Sequence, residues 1–230
     1  MTSGDQRENV EVAVETPTPG PAAPLRIPGF ATLAGAYSIN ELGNWLGDIA
    51  LAVLVYDHTK SALATALLFV GTRFVPALAA PALVARVERL QPRPALASLY
   101  GADACIFAVL AVLAVGTFSL PVIVVLAAID GSLALAARAL TRSTSAALLS
   151  PPGLLRRGNS IFNFGFTTAG AIGPAIAAVV VSQAGASTAL AADAASFAFV
   201  AMSGADWPAR GAAAPEEPSG AAAGHGPAPS

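Results

Sequence analysis

The sequence predicts an all-α polytopic membrane protein of six transmembrane helices with both termini cytoplasmic, and three observations predict it. Six apolar stretches, each about 18 to 25 residues long, succeed one another between about residues 30 and 203. A helix needs roughly 20 apolar residues to cross about 30 Å of hydrocarbon, and inside lipid it satisfies its own backbone groups. Charged residues make up 11% of the 230, hydrophobic residues 55%, and mean hydropathy is +0.65. A soluble domain carries about 25% charged residues, and its buried helices would show a polar face, which these stretches mostly lack. The third observation is that the cations collect on alternate connections, the pattern that sets orientation in a bilayer.

Taken in order, residues 1–28 hold Glu8, Glu11, Glu15 and prolines at 17, 19, 21, 24 and 28, a composition expected to give a disordered cytoplasmic tail. The tail has no apolar central run of the signal-peptide kind, so the first span is expected to act as its own insertion signal. Residues 29–203 form the predicted transmembrane domain, with spans at about 30–56, 61–85, 95–115, 121–140, 160–181 and 187–203. A short polar turn, Tyr56 to Ser61, separates the first two. The next loop carries Arg86, Glu88, Arg89 and Arg93. The link from Gly116 to Pro121 is uncharged. A longer connection follows with Arg142, Pro151, Pro152, Arg156 and Arg157, and its Ala-Ala-Leu-Leu stretch is compatible with a short helical continuation. The turn from Ser182 to Ser187 is again uncharged. The sixth span is the shortest and is rich in alanine. Residues 204–230, made of Ala, Gly, Pro and Glu, are expected to form a second disordered cytoplasmic tail. Lys60 alone stands against the arginines of the two basic connections and those at 7, 26 and 210, which places both termini and the basic loops in the cytoplasm.

Ionisable groups in lipid cost roughly 2.5 to 3.5 kcal/mol each at a helix centre, yet this chain keeps several. Asn40, Asn44 and Asp48 fall on one helical face of the first span, with Glu41 beside them. The second span holds Arg73, the third Asp103, the fourth Asp130 and Arg138, and the sixth Asp193. Asn40, Glu41, Asn44, Asp48, Arg73, Asp103 and Asp130 are candidates for a polar cavity that binds substrate or exchanges protons. The alternative is internal pairing that fixes helix register, for instance Arg73 with Asp48 or Asp103. Arg138 and Asp193 read as structural or interfacial. In the fifth span Gly170 and Gly173 permit close helix approach, and Pro174 removes a backbone hydrogen bond.

Several functions are poorly matched. A net charge of −2 with no dense basic cluster argues against nucleic acid. A membrane serine protease would need an embedded histidine, and His58 and His225 lie in a loop and a tail. The Gly-x-Gly-Asp pattern of a membrane aspartyl protease is absent, so no enzyme activity is expected. No filter-like loop suggests a channel, and no phosphate-cradling glycine loop suggests ATP-driven transport. No metal site and no cofactor are expected. Cys105, alone in the chain, is expected to be a small core residue.

The segment from Asn44 to Phe69, with its Gly-Asp and its Thr-x-Ser turn, resembles the first span and start of the second in major facilitator superfamily transporters. The loop from Val84 to Arg93 resembles the Gly-x-x-x-Asp-Arg-x-Gly-Arg-Arg signature of that superfamily: Arg89 and Arg93 are retained, Val84 replaces the glycine and Glu88 the aspartate. Thr168 to Ala178 is similar to the fifth-span Gly-Pro motif of its exporters, and Ala189 to Val200 to the usual sixth span. The region of about 28–203 thus resembles the N-terminal six-helix half of a drug, macrolide or siderophore exporter of this type. The resemblance implies a half-length or truncated secondary transporter performing proton-coupled efflux of a small amphipathic molecule. It also implies a gating role for Glu88, Arg89 and Arg93, and a packing role for Gly170, Gly173 and Pro174. The expected setting is the cell inner membrane, with the lipid bilayer, a small-molecule substrate and a second six-helix half or a homodimer as partners. The alternatives are a truncated transporter that moves nothing and a membrane interaction or assembly subunit.

Overall fold

The computed structural model describes residues 20–203; the tail residues beyond them, with Arg7 and Arg210, lie outside the described residues. The described chain is helical: a 3-10 turn at Ala23–Arg26, then α1 (Phe30–Thr59), α2 (Ala62–Val87), α3 (Pro92–Val115), α4 (Leu120–Leu149) and α5 (Leu155–Met202). By length and apolar composition α2 to α5 are four candidate membrane spans. The polar stripe of α1 lowers its hydropathy and keeps it from being a fifth.

The punctuation is local. Gly29, at φ 80°, turns the chain into α1, and Lys60, at φ 48°, ends that helix with its N–H on the Tyr56 carbonyl. The Ala64 N–H donates to Ser61 Oγ (3.3 Å), capping α2. Pro92 and Pro121 sit in the first turns of α3 and α4, where a missing N–H costs nothing. Helix α4 runs on past the apolar segment to Leu149, so the basic connection shortens to residues 150–154, turned by Gly153 at φ 69°.

Three features differ from what the sequence leads one to expect. The fifth and sixth apolar segments follow one another within the 48-residue element α5, as two helical stretches that meet at a kink. Within it Gly185 takes φ 84° and ψ 164°, a conformation open to glycine, so one residue breaks the helix where a loop was expected. Cys105 is exposed rather than in the core, because it lies on the outer face of α3, away from buried Asp103 and Phe107. Residues 20–28, expected as tail, contain the 3-10 turn, whose Ala23 and Ile27 pack on a cluster of Phe30, Tyr37, Leu149, Leu154 and Phe162.

Helix α1 packs along α5, α3 along α5, and α2 along α4, with α3 also against α4. The rings of Phe30 and Tyr37 meet Phe162 edge-on at 5.5 and 5.0 Å, tying the start of α1 to the start of α5. At the other end His58 stacks on Phe118 at 4.4 Å. Large apolar side chains point outward, among them Leu78 (85% exposed), Phe164 (73%) and Phe74 (67%). Patches of this kind are at home against lipid or protein rather than water.

Candidate functional site

Helix periodicity places Asn40, Asn44 and Asp48 on one stripe of α1, and the bundle turns that stripe toward α2 and α4. Glu41, 2% exposed, accepts a two-pronged pair of hydrogen bonds from Arg138 of α4, Nε to Oε1 at 2.7 Å and Nη2 to Oε2 at 2.9 Å. Planar guanidinium and carboxylate groups match in this geometry, which adds orientation as well as charge. Arg73 of α2 reaches Asp48 through Nη2 to Oδ2 at 2.5 Å, with side-chain exposures of 59% and 26%. The Glu41–Arg138 pair is therefore the more buried of the two, and the Asp48–Arg73 pair lies on the bundle's open side.

Between the two pairs is a cavity of about 490 Å³, and its polar lining includes Glu41, Asn44, Asp48, Arg73, Asp130 and Arg138. Trp45, Phe107 and Phe166 add aromatic walls from α1, α3 and α5. Asp130, Ala134 and Arg138 share one face of α4 at spacings of four residues, which is why all three reach the same space.

Behind the cavity the carboxyls continue. Asp103 of α3 adjoins Asp130 carboxyl to carboxyl, and both of its oxygens are buried. Asp193, fully buried in the second arm of α5, interacts with Asp103. It lies against α1 where Gly43 and Gly47 leave room: a Cβ on Gly47 would come within 2.7 Å of its Oδ2. The Ser196 hydroxyl is 3.3 Å from Asp193 Oδ1. Asn40, 1% exposed, finds no partner for either amide atom, and the Asn44 amide nitrogen is likewise unpartnered.

Of the residues named from sequence, Glu41, Asn44, Asp48, Arg73 and Asp130 are brought together on the cavity, while Asn40 and Asp103 lie buried outside its lining. Glu88, Arg89 and Arg93 are exposed at the α2–α3 turn and line no part of it. Gly173 faces α1, where an added Cβ would sit 2.8 Å from Trp45, and Gly170 flanks the same ring at 3.8 Å. Pro174 lies inside α5 beside them. Of the alternatives for Arg73, its partner is Asp48.

Sequence reasoning missed the place of Arg138 and Asp193. For Arg138 the signal was present, since it lies eight residues after Asp130 on the same face of α4. For Asp193 no local signal exists, because its neighbours are set by how α5 lies on α1. Among the described residues no group of three or more His, Cys, Asp or Glu is arranged to hold a metal ion.

A family model described as transmembrane secretion effector matches residues 19–222. Neither a curated protein nor a solved structure matches the chain.

Proposed function

Since the chain belongs to the transmembrane secretion effector family, of the major facilitator type, we propose that this multi-pass membrane transporter performs secondary, proton-coupled efflux of a small amphipathic molecule. The observation that carries the proposal is the cavity itself: two ion pairs and a further carboxyl, Asp130, contributed by three different helices, surround one space of about 490 Å³. Pockets of this size suit a drug-sized ligand. Polar groups retained at membrane depth mark transport paths and proton relays, and Asp48, Asp130 and Asp103 supply carboxyls on and just behind the wall. A proton taken up by one of them would release its hold on a neighbour, which is the coupling step proposed here.

The rest of the proposal concerns setting. The break at Gly185 divides α5 into arms of residues 155–184 and 186–202, which supports six crossings in the cell inner membrane. The basic turns then face the cytoplasm with both termini. The open side of the cavity, where Arg73 is exposed, calls for a covering protein wall. A second six-helix unit meets that need, as in transporters whose site lies between two repeats. In this proposal Glu88, Arg89 and Arg93 at the α2–α3 turn take the gating role against such a unit. No chemistry on a substrate is proposed.

The test is transport in inverted membrane vesicles with a panel of neutral and cationic amphipathic dyes. Dye movement should require a proton gradient, stop when nigericin collapses it, and be lost in Glu41→Gln and Asp48→Asn proteins that insert normally. Movement that survives both substitutions and the collapse would rule out proton exchange at this site.

A further inference from the structure

The 3-10 turn and the start of α5 enclose a second cavity, which shares no lining residue with the first. It holds about 590 Å³, is open on one side, and is lined by Pro21, Leu25, Arg157, Ser160, Ile161 and Phe164. Its wall is apolar and faces outward: Leu25 is 44% exposed and Phe164 73%. Its head is cationic. Arg157 lines it, half-buried, while Arg156 beside it and Arg26 on the turn are exposed. Among the described residues none of the three is in an ion pair. No acid offsets them along the chain, since the sequence has none from 20 to 40 and none from 131 to 192, the stretches that supply every lining residue. An outward apolar wall suits lipid. A guanidinium suits phosphate, which it can meet with two parallel hydrogen bonds.

We propose that this second cavity holds an anionic phospholipid. Its phosphate sits on Arg157 with Arg26 and Arg156 around it, and the upper part of an acyl chain lies against Leu25, Ile161 and Phe164. Basic pockets at the ends of spans take acidic headgroups by this chemistry. Charge chooses the occupant: a zwitterionic lipid brings its own cation back beside three arginines, whereas an anionic one neutralises them. Bound there, the lipid ties the residues just before α1 to the first turns of α5, adding to the join made by Phe30 and Phe162. The site needs the membrane setting alone and stands apart from any transport through the central cavity.

The test uses the full chain in nanodiscs of mixed phosphatidylcholine and phosphatidylglycerol. Phe164→Trp puts a fluorescent reporter on the wall, where the exposed position leaves room for the larger ring. Trp45 and Trp207 give a background that the unsubstituted protein measures. Brominating the acyl chains of one lipid at a time then compares how often each lies beside the reporter. Brominated phosphatidylglycerol should quench more strongly, with a relative affinity of about fivefold or more, the worth of one arginine at an anionic surface. Adding Arg157→Gln should bring the ratio close to one, and Arg157→Lys should keep most of it. Arg86→Gln is the control: this arginine in the last turn of α2 lines no part of the cavity, and its loss should leave the ratio in place. Equal quenching by the two lipids, an excess that survives Arg157→Gln, or an equal loss in Arg86→Gln would each overturn the proposal. Should Arg157→Gln fail to fold, the two lipids on the unsubstituted arginine, with the Arg86→Gln control, decide alone. Loss of the excess on adding inorganic phosphate, beyond the effect of sodium chloride at equal ionic strength, would assign the site to a soluble anion and overturn the lipid.

Discussion

The two sides of α1 are built differently. Toward α5 it packs along its length through small residues, with Gly43 and Gly47 opposite Asp193 and Trp45 seated on Gly173. Toward α2 and α4 its contacts are sparse, and the links are Glu41 to Arg138 and Asp48 to Arg73 across a cavity. The first kind of contact sets a spacing and is sensitive to volume. The second sets a partner and is sensitive to charge. The difference can be broken from either side.

The largest effect is expected at the more buried pair. Arg138→Met leaves Glu41, 2% exposed, without its cation. Removing one partner of a buried pair costs about 3–5 kcal/mol, whereas replacing both with well-packed neutral groups can be nearly neutral. Unfolding in detergent should therefore show a strongly destabilised Arg138→Met and substantial recovery in Glu41→Gln/Arg138→Met. Additive losses in the double variant would mean that the two side chains do not depend on each other, and the charged side of α1 would lose its main support.

A smaller effect is expected on the packed side, where charge is not involved. Gly173→Ala places a Cβ 2.8 Å from the Cβ and Cγ of Trp45, a helix-to-helix overlap that costs about 1–3 kcal/mol. Gly170→Ala is the control: the same change three residues earlier in α5 puts its Cβ 3.8 Å from the ring, an ordinary contact. It should be neutral or stabilising, by up to about 1 kcal/mol, since alanine is the better helix former. Equal melting temperatures for the two variants would show that α5 does not rest on Trp45 as described.

Much of this was legible in the sequence because it depends on one helix at a time. The apolar spans and the stripe from Asn40 to Asp48 follow from composition and the helical repeat, and the family follows from the order of short motifs. What a single helix cannot encode is which faces meet. Asp193 reads as an isolated acid until α5 is laid on Gly43 and Gly47, and Cys105 reads as core until α3 is rotated into place. Gly185 was legible as a turn residue, but whether it opens a loop or only breaks a helix is decided by its neighbours, which stay helical on both sides. The pairing of Arg138 with Glu41 joins residues 97 apart, beyond any local pattern.

The smallest effect on stability is expected at the open pair, and there function should part from stability. Arg73 is 59% exposed and its bond to Asp48 is short, at 2.5 Å. Exposed pairs contribute about 0–1 kcal/mol, because water competes for both charges and ordering two side chains has an entropy cost. Arg73→Gln should therefore melt within about 1 kcal/mol of the parent in detergent, where water reaches the pair. In a bilayer the outcome depends on what covers that side of the cavity. If a protein wall covers it, Arg73→Gln should unbalance Asp48 within a closed site and abolish dye transport while leaving the fold intact. If lipid covers it, removing the arginine should instead lower stability in nanodiscs well beyond the loss in detergent, because Asp48 would then face hydrocarbon alone. Comparing the same variant in the two environments separates a transport wall awaiting its counterpart from a face that meets lipid directly.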